Sequence, residues 1–345
     1  MRKNIQLFTL TIAVAVLSLP AAGAPKKSPK AEEERAESAA AAPAVLWRNP
    51  EDIKSRNLFY GPGGEKDQPH GPFKFVKEDL DGTNPKFVVR DRDEVKWKVK
   101  LGEEARPETV ASRLVWAVGY FANEDYFLPE LQVADMPRLK RGQNRVLAGG
   151  IVHNVRLKRY VKGEEKIGDW QWKGDPFSNT RELNGLEVTM APINNWDLKD
   201  ENNHVYAKKG KQGEGAEQVY MVSDVGASFG STGFGATRAG SKGNLHAYTN
   251  SKFISKVTPE FVDFNVPSRP ALIHLVYPPE FIRRLELRSI GKNIPRGDAR
   301  WIGDLLAKLS PEQIRDAFRA AGYAPQEVEA FSEVVENRIA ELEKL

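Results

Sequence analysis

Between Glu94 and Leu101 the chain alternates strictly. Val95, Trp97, Val99 and Leu101 point one way, and Lys96, Lys98 and Lys100 point the other. That two-residue period is satisfied by a β-strand with one buried face. Just beyond it, Arg106–Val118 switches to helical spacing, with Pro107 suited to a first turn and Gly119 placed to stop it. Upstream, Phe73–Val76 and Lys86–Arg90 read as two further strands across the turn-rich segment Leu80–Pro85. Three strands leading into a long helix predict an α+β fold whose first half is strand-rich.

The rest of the chain turns progressively helical. Val146–Tyr160 holds one or two more strands, and Thr180–Pro192 a helix. Val205–Tyr206 and Gln218–Val222 form a hairpin joined by a lysine- and glycine-rich loop. From Trp301 to Leu345 the pattern is helical. Ser310 caps a helix that starts at Pro311, Gly322–Pro325 breaks it, and Gln326–Leu342 forms the last one. No internal repeat is present. At 345 residues the chain suits one large domain or two intimate lobes. The expected parts are a strand-rich lobe over 45–160, a second lobe over 161–300 and C-terminal helices over 301–345. The apolar spacing of those helices suits either packing on the second lobe or a partner surface.

The N-terminus carries an export pattern. Met1-Arg-Lys-Asn is a short positive start, Ile5–Leu19 an apolar run broken by Pro20, and Ala22-Gly-Ala24 a small-x-small cleavage site. This predicts a secretory signal peptide over 1–24. Residues 25–44, rich in Ala, Lys, Glu and Pro, cannot bury a core and read as a disordered tether. The expected product is exported, periplasmic or extracellular, with no membrane span after cleavage. Cysteine is absent, so no disulfide, cysteine nucleophile, thiolate metal site or lipidated N-terminal cysteine can occur. The net charge is +4, and losing Arg2 and Lys3 with the leader leaves +2, which gives no case for nucleic-acid binding. With 40% hydrophobic and 28% charged residues, neither a polytopic membrane protein nor a wholly disordered chain fits.

The chemistry concentrates between Asn194 and Gly240. Asn194–Asn203 is unusually polar, with Asp197 and, five positions on, Asn202; the strand after it ends in Ser223-Asp-Val-Gly226. Phosphoryl transfer asks little covalent work of a protein. It needs a carboxylate near the attacking hydroxyl, oxygen ligands for divalent ions and a lysine on the nucleotide phosphates. Asp197, Asn202, Asp224 and a strand lysine supply those parts. The alternative is a polar surface turn with Asp and Asn as caps.

Asp-Leu-Lys-Asp-Glu-Asn at 197–202 resembles the protein-kinase catalytic loop, and Asp-Val-Gly at 224–226 its metal-binding Asp-Phe-Gly. The order of three strands, a lysine on the third and a helix with an early glutamate is similar to the divergent kinase-like proteins of the HipA, CotH and secreted Golgi-casein-kinase types. The resemblance implies a two-lobed kinase-like fold, with ATP and Mg²⁺ or Mn²⁺ as cofactors and an unknown hydroxyl-bearing acceptor. By the same resemblance, Asp197 orients the hydroxyl, Lys199 lies near the transferred group, and Asn202 and Asp224 hold the metal. Lys100, or Lys98 on the same face, binds the nucleotide phosphates and pairs with Glu108. The turn around Gly82 and Thr83 lies over them. Transfer of phosphate and transfer of AMP both stay open.

The sequence also departs from that pattern. It lacks a G-x-G-x-x-G in the first hairpin, Asn195-Trp196 stands where His-Arg is usual, and Asp197 and Asp224 are widely spaced. Pro278-Pro-Glu280 only faintly resembles the end of an activation segment. Two other readings compete. One is an exported pseudokinase or binding scaffold without catalysis. The other is a serine hydrolase using Ser228 in Gly226-Ala-Ser-Phe-Gly230, with His246, His274, Asp263 and Asp298 as possible partners, although a glycine-rich loop rather than a helix follows. Arg238 and Lys242 are candidate contacts for an anionic substrate. The five histidines show no zinc spacing, and Trp170 and Trp172 suit core packing better than carbohydrate stacking.

Overall fold

The computed structural model of the chain describes residues 42–82, 84–208, 215–231, 242–265, 287 and 289–345. The expected signal peptide and most of the expected tether, Thr83, Arg238, His274 and Pro278–Glu280 lie outside the described residues. The chain is already engaged in a sheet at β1 (Ala44–Val45), where the tether was expected to end.

The first lobe is a closed five-stranded barrel. Its strands are β2 (Phe73–Asp79), β3 (Lys86–Arg90), β4 (Lys96–Leu101), β5 (Asp125–Ala134) and β6 (Ile151–Arg159), in the order β2-β3-β4-β6-β5. It closes through two parallel pairs, Phe73↔Val133 and Lys74↔Ala134. The alternating strand behaves as its pattern requires. Trp97, Val99 and Leu101 fill the barrel with Phe87, Val89, Val155 and Leu157. β5 was not expected, because Pro129 sits inside it. The ladder carries across that residue between Leu128↔Val155 and Glu130↔His153.

The lysine face of β4 lies outside the barrel, with Lys98 opposite Lys158 and Lys100 opposite Arg156 on β6. Like charges facing each other across strands are destabilising unless carboxylates separate them. Those carboxylates come from α1 (Ala105–Ala117) and from the second lobe. The sequence suggested an amphipathic helix, but α1 is enclosed nearly all round: Glu108, Thr109, Ser112 and Arg113 are buried along with Val110, Ala111, Leu114 and Val115. Arg113 finds backbone acceptors, Thr109 O at 2.8 Å and Phe59 O at 3.2 Å. At Gly119, with φ near +100°, a Cβ would stand 2.2 Å from Arg48 O, so only glycine ends the helix this way.

A second core lies outside the barrel. β7 (Glu164–Asp169), β8 (Asn203–Lys208) and β9 (Glu217–Val222) join β1 in a sheet of order β1-β9-β8-β7. The expected hairpin is thus real and longer than its two clearest segments, while β7 was not foreseen. α2 (Arg181–Met190) starts at Thr180, whose hydroxyl accepts from Leu183 N. After α3 (Leu245–Thr249), a small sheet of β10 (Ile254–Val257), β11 (Phe261–Phe264) and β12 (Ile294–Pro295) precedes α4 (Arg296–Leu306), α5 (Pro311–Ala320) and α6 (Pro325–Glu343). Ser310 and Gln313 form a reciprocal capping box on α5. Val110, Ala111, Leu114 and Val115 of α1 share one core with Phe318, Phe331 and Val335 of the last two helices. Trp170 and Trp172 are buried in it, with ring centroids 5.0 Å apart. The C-terminal helices therefore pack behind the helix that carries Glu108.

Candidate active site

Lys100 is the centre of the site. It is 3% exposed, so it is not part of a solvated strand face. Its Nζ lies 2.8 Å from Glu108 Oε2, 3.0 Å from Glu104 Oε2 and 3.1 Å from Asp224 Oδ2. Arg156, its cross-strand neighbour, donates to Glu108 Oε1 at 2.6 Å and stands 3.2 Å from Asp125. Lys242 also pairs with Glu104, and Asn84 donates to Glu104 Oε2 at 2.6 Å. Three cations thus face four carboxylates, Glu104, Glu108, Asp125 and Asp224.

That balance sets the charge states. Burial works against a charged Lys100, but Asp224, Glu108 and Glu104 outweigh it and raise its pKa. Burial alone would raise Asp224; Lys100 and Arg156 win and hold it well below the usual carboxylate range. Glu104 is likewise lowered, burial being overcome by Lys100 and Lys242. Glu108, fully enclosed, is raised: burial, with Asp224 and Asp125 near, outweighs its two cations.

Backbone bonds zip the two site loops together. Trp196 N donates to Ala227 O at 3.3 Å and Phe229 N to Ile193 O at 2.8 Å. The carbonyl of Asn202 accepts from Ser223 N at 2.8 Å and Asp224 N at 3.3 Å, which fixes Asn202 beside Asp224. The Asn202 amide donates to Asp197 O at 2.6 Å, closing the turn between the two polar residues. Asp197 N donates to Asn195 Oδ1 at 3.2 Å, and Lys199 Nζ lies 2.8 Å from Asp197 Oδ1. Gly226 N caps Asp224 Oδ1 at 3.2 Å.

Most expected residues therefore converge, with two differences. Lys98, expected as the alternative to Lys100, stands outside the cluster and pairs with Asp79 at 2.8 Å. Gly82 takes φ near +62° in the β2–β3 turn, and Arg141 holds that turn by bonds to Gly82 O at 2.5 Å, Asp79 O at 3.0 Å and Asp81 O at 3.2 Å. Ser228 is no nucleophile: it is fully buried, and its hydroxyl donates to Val225 O at 2.8 Å. A nucleophile elbow needs an exposed hydroxyl. Asp263 and Asp298 are taken up by Asn293 N and Asn184 Nδ2.

Four participants were missed. Glu104, Asp125 and Arg156 carry no motif; only the barrel register and the start of α1 bring them to Lys100. Lys86 is half-buried on β3, paired across the strands with Lys100. Burial lowers its pKa, with Lys98 and Lys100 adding to that against the pull of Asp79 and Asp224.

The donor set suits a hard divalent cation, which takes oxygen ligands. Carboxylate oxygens of Glu104, Glu108 and Asp224 lie within 4.8 Å of one another. The Asp224 side chain is 40% exposed, unlike those of Glu104 and Glu108.

No protein-family model matches the sequence, and no curated protein matches it. Among solved structures the chain is similar to a Helicobacter pylori proinflammatory kinase, CtkA, at 10% identity over 79% of this chain and 93% of that one, with a TM-score of 0.43. It is also similar to the Golgi casein kinase, at 10% identity over 94% of each chain and a TM-score of 0.32. The Golgi casein kinase with Mn/ADP bound matches at 9% identity over 78% and 74%, with a TM-score of 0.31. Likeness of this degree leaves the chemistry to be argued from the residues.

Proposed function

We propose that the protein is an exported, metal-dependent phosphotransferase of kinase-like type, using ATP and a hydroxyl acceptor. The observation that carries this reading is the buried contact of one lysine with two carboxylates from different lobes, Lys100 with Glu108 at 2.8 Å and Asp224 at 3.1 Å. A lysine held this way is kept charged and aimed, which is what binding nucleotide phosphates requires.

Each residue then has a task. Lys100 binds the nucleotide phosphates, and Glu108, itself held by Arg156, fixes its direction. Lys86 adds a second cation on the same face, and the Gly82 turn covers the phosphates. Asp224 and Asn202 would hold Mg²⁺ or Mn²⁺, which when bound neutralises charge on the phosphates. Asp197 orients the acceptor hydroxyl and takes its proton as the oxygen attacks phosphorus. Lys199, 2.8 Å from Asp197, steadies that carboxylate and the charge of the transferred group. The bond to the nucleotide's leaving oxygen breaks, and the electron pair departs with the nucleotide or with pyrophosphate.

The test is label transfer by the mature chain with ATP labelled at the α or the γ position, beside Asp224→Ala. Retained γ label marks phosphate transfer, and retained α label marks AMP transfer. A metal-dependent rise in melting temperature with ATP, lost in Asp224→Ala, is expected alongside. No shift with ATP and either metal, together with no label retained, overturns the reading in favour of a binding scaffold.

A further inference from the structure

A separate cavity of about 520 Å³ opens beside the first turn of α1. Its polar lining is almost entirely made of donors: Arg106, Arg145, Lys242, His153 and the Tyr323 hydroxyl, against the one carboxylate of Glu103. Three observations point to an anion. Tyr323 is only 6% exposed, yet its hydroxyl has no hydrogen-bond partner. Burial holds it protonated, so it is available as a donor. Arg145 is exposed, and its guanidinium pairs with no carboxylate among the described residues. Finally, the N-cap residue Glu104 makes no capping bond with its side chain, which is drawn off to Lys100 and Lys242. Arg106 and Pro107 of the first turn line the cavity, so the positive end of α1 borders it, although Ala105 N is already given to Gly102 O.

The remaining donors have capacity to spare. Arg106 stacks on Tyr323 and spends Nε and Nη2 on Ala321 O, Gly322 O and Glu327, leaving Nη1. Lys242 spends one bond on Glu104. The hydroxyl lies against Gly243, where a Cβ would stand 2.9 Å from Tyr323 Oη, so the glycine leaves room for it.

We propose that this cavity binds a phosphate dianion, free or as a phosphate monoester. A tetrahedral group that only accepts hydrogen bonds matches a cluster of donors on several sides better than a planar carboxylate does. Bound there, it ties α1 to the segment at Lys242 and to the turn before α6. It also competes with Glu104 for Lys242, which leaves Glu104 to Lys100. The cavity shares Lys242 with the Lys100 cluster through Glu104, but its occupancy is read by binding alone.

The test is a ³¹P NMR titration of the full chain with inorganic phosphate, repeated for Arg145→Glu, Tyr323→Phe and Lys86→Ala. Arg145 is exposed and pairs with no carboxylate among the described residues, so its variant is expected to fold. Loss of about tenfold in affinity is expected for Arg145→Glu and a smaller loss for Tyr323→Phe, with Lys86→Ala unchanged. Tighter binding of O-phosphoserine than of phosphate identifies a monoester as the ligand; equal binding identifies free phosphate. Absence of binding, or binding lost in Lys86→Ala and kept in Arg145→Glu, overturns the proposal, the latter by placing the anion in the nucleotide cleft.

Discussion

Arg156 donates to Glu108 Oε1 at 2.6 Å, while Lys100 holds the other oxygen of the same carboxylate at 2.8 Å. Two cations that face each other across β4 and β6 are thus bridged by one buried anion from α1. Replacing Arg156 by Met leaves Glu108 short of a donor and Asp125 without its cation. Breaking such a buried pair from one side costs about 3–5 kcal/mol. Urea denaturation should show that loss, and adding Asp125→Asn should recover part of it, because the two changes share one network. A loss below about 1 kcal/mol for Arg156→Met would mean that the network is not closed as described.

Lys100 and Lys98 stand two residues apart on one strand face with different partners. Lys100 touches Asp224 across the lobes, whereas Lys98 is tied to Asp79 and partly exposed. Lys100→Met should lower label transfer by about 10²–10³, the usual cost of one preorganised electrostatic contact. Lys98→Met should lower it less than about fivefold, because Lys98 pairs with Asp79 and makes no contact with Asp224. Initial rates with saturating ATP and metal decide. Equal losses would assign the phosphate role to the face as a whole.

The strand–helix skeleton was legible because its signals are local. The alternation at 95–101, the stop at Gly119 and the cap at Ser310 each act within a few residues. Asp197, Asn202 and Asp224 were legible because their order along the chain survives in a pair of loops zipped by backbone bonds. Glu104, Asp125 and Arg156 were not, because their role exists only once the barrel sets Lys100 opposite Arg156. β5 was hidden by Pro129, which denies one donor to a ladder that its neighbours sustain. The Ser228 motif misled for the opposite reason: its spacing is local, but burial decides whether a hydroxyl can react.

Glu187 on α2 supplies a pH signature outside the Lys100 cluster. Burial pushes its carboxyl up to about 7, against a donor from the Gly291 backbone. The folded state therefore binds this proton more tightly than the unfolded chain, whose carboxyl titrates near about 4.3. Stability from this group is present below that value and is lost as pH rises toward 7. Glu187→Gln, which does not ionise, should gain in melting temperature over the parent on going from pH 5 to pH 8. A difference independent of pH would show that Glu187 titrates normally.

The C-terminal helices reach the loop that carries Asp224 through Phe229, five residues further on. Phe229 is fully buried and stands edge-on to Phe318 at 5.2 Å, Tyr248 at 5.4 Å and Phe331 at 6.3 Å. Phe318 and Phe331 stack on each other at 5.3 Å. The loop that carries Asp224 is thus clamped on one side by Ile193 O and on the other by an aromatic cluster from α5 and α6. Phe331→Ala removes a ring from that cluster and should cost about 3–5 kcal/mol, transfer and cavity terms together. Because Phe318 shares the cavity, Phe318→Ala and Phe331→Ala should couple by more than about 0.5 kcal/mol in a double-mutant cycle. Additive losses would mean that the two helices brace the core separately, and that the tail does not act on the Asp224 loop as one unit.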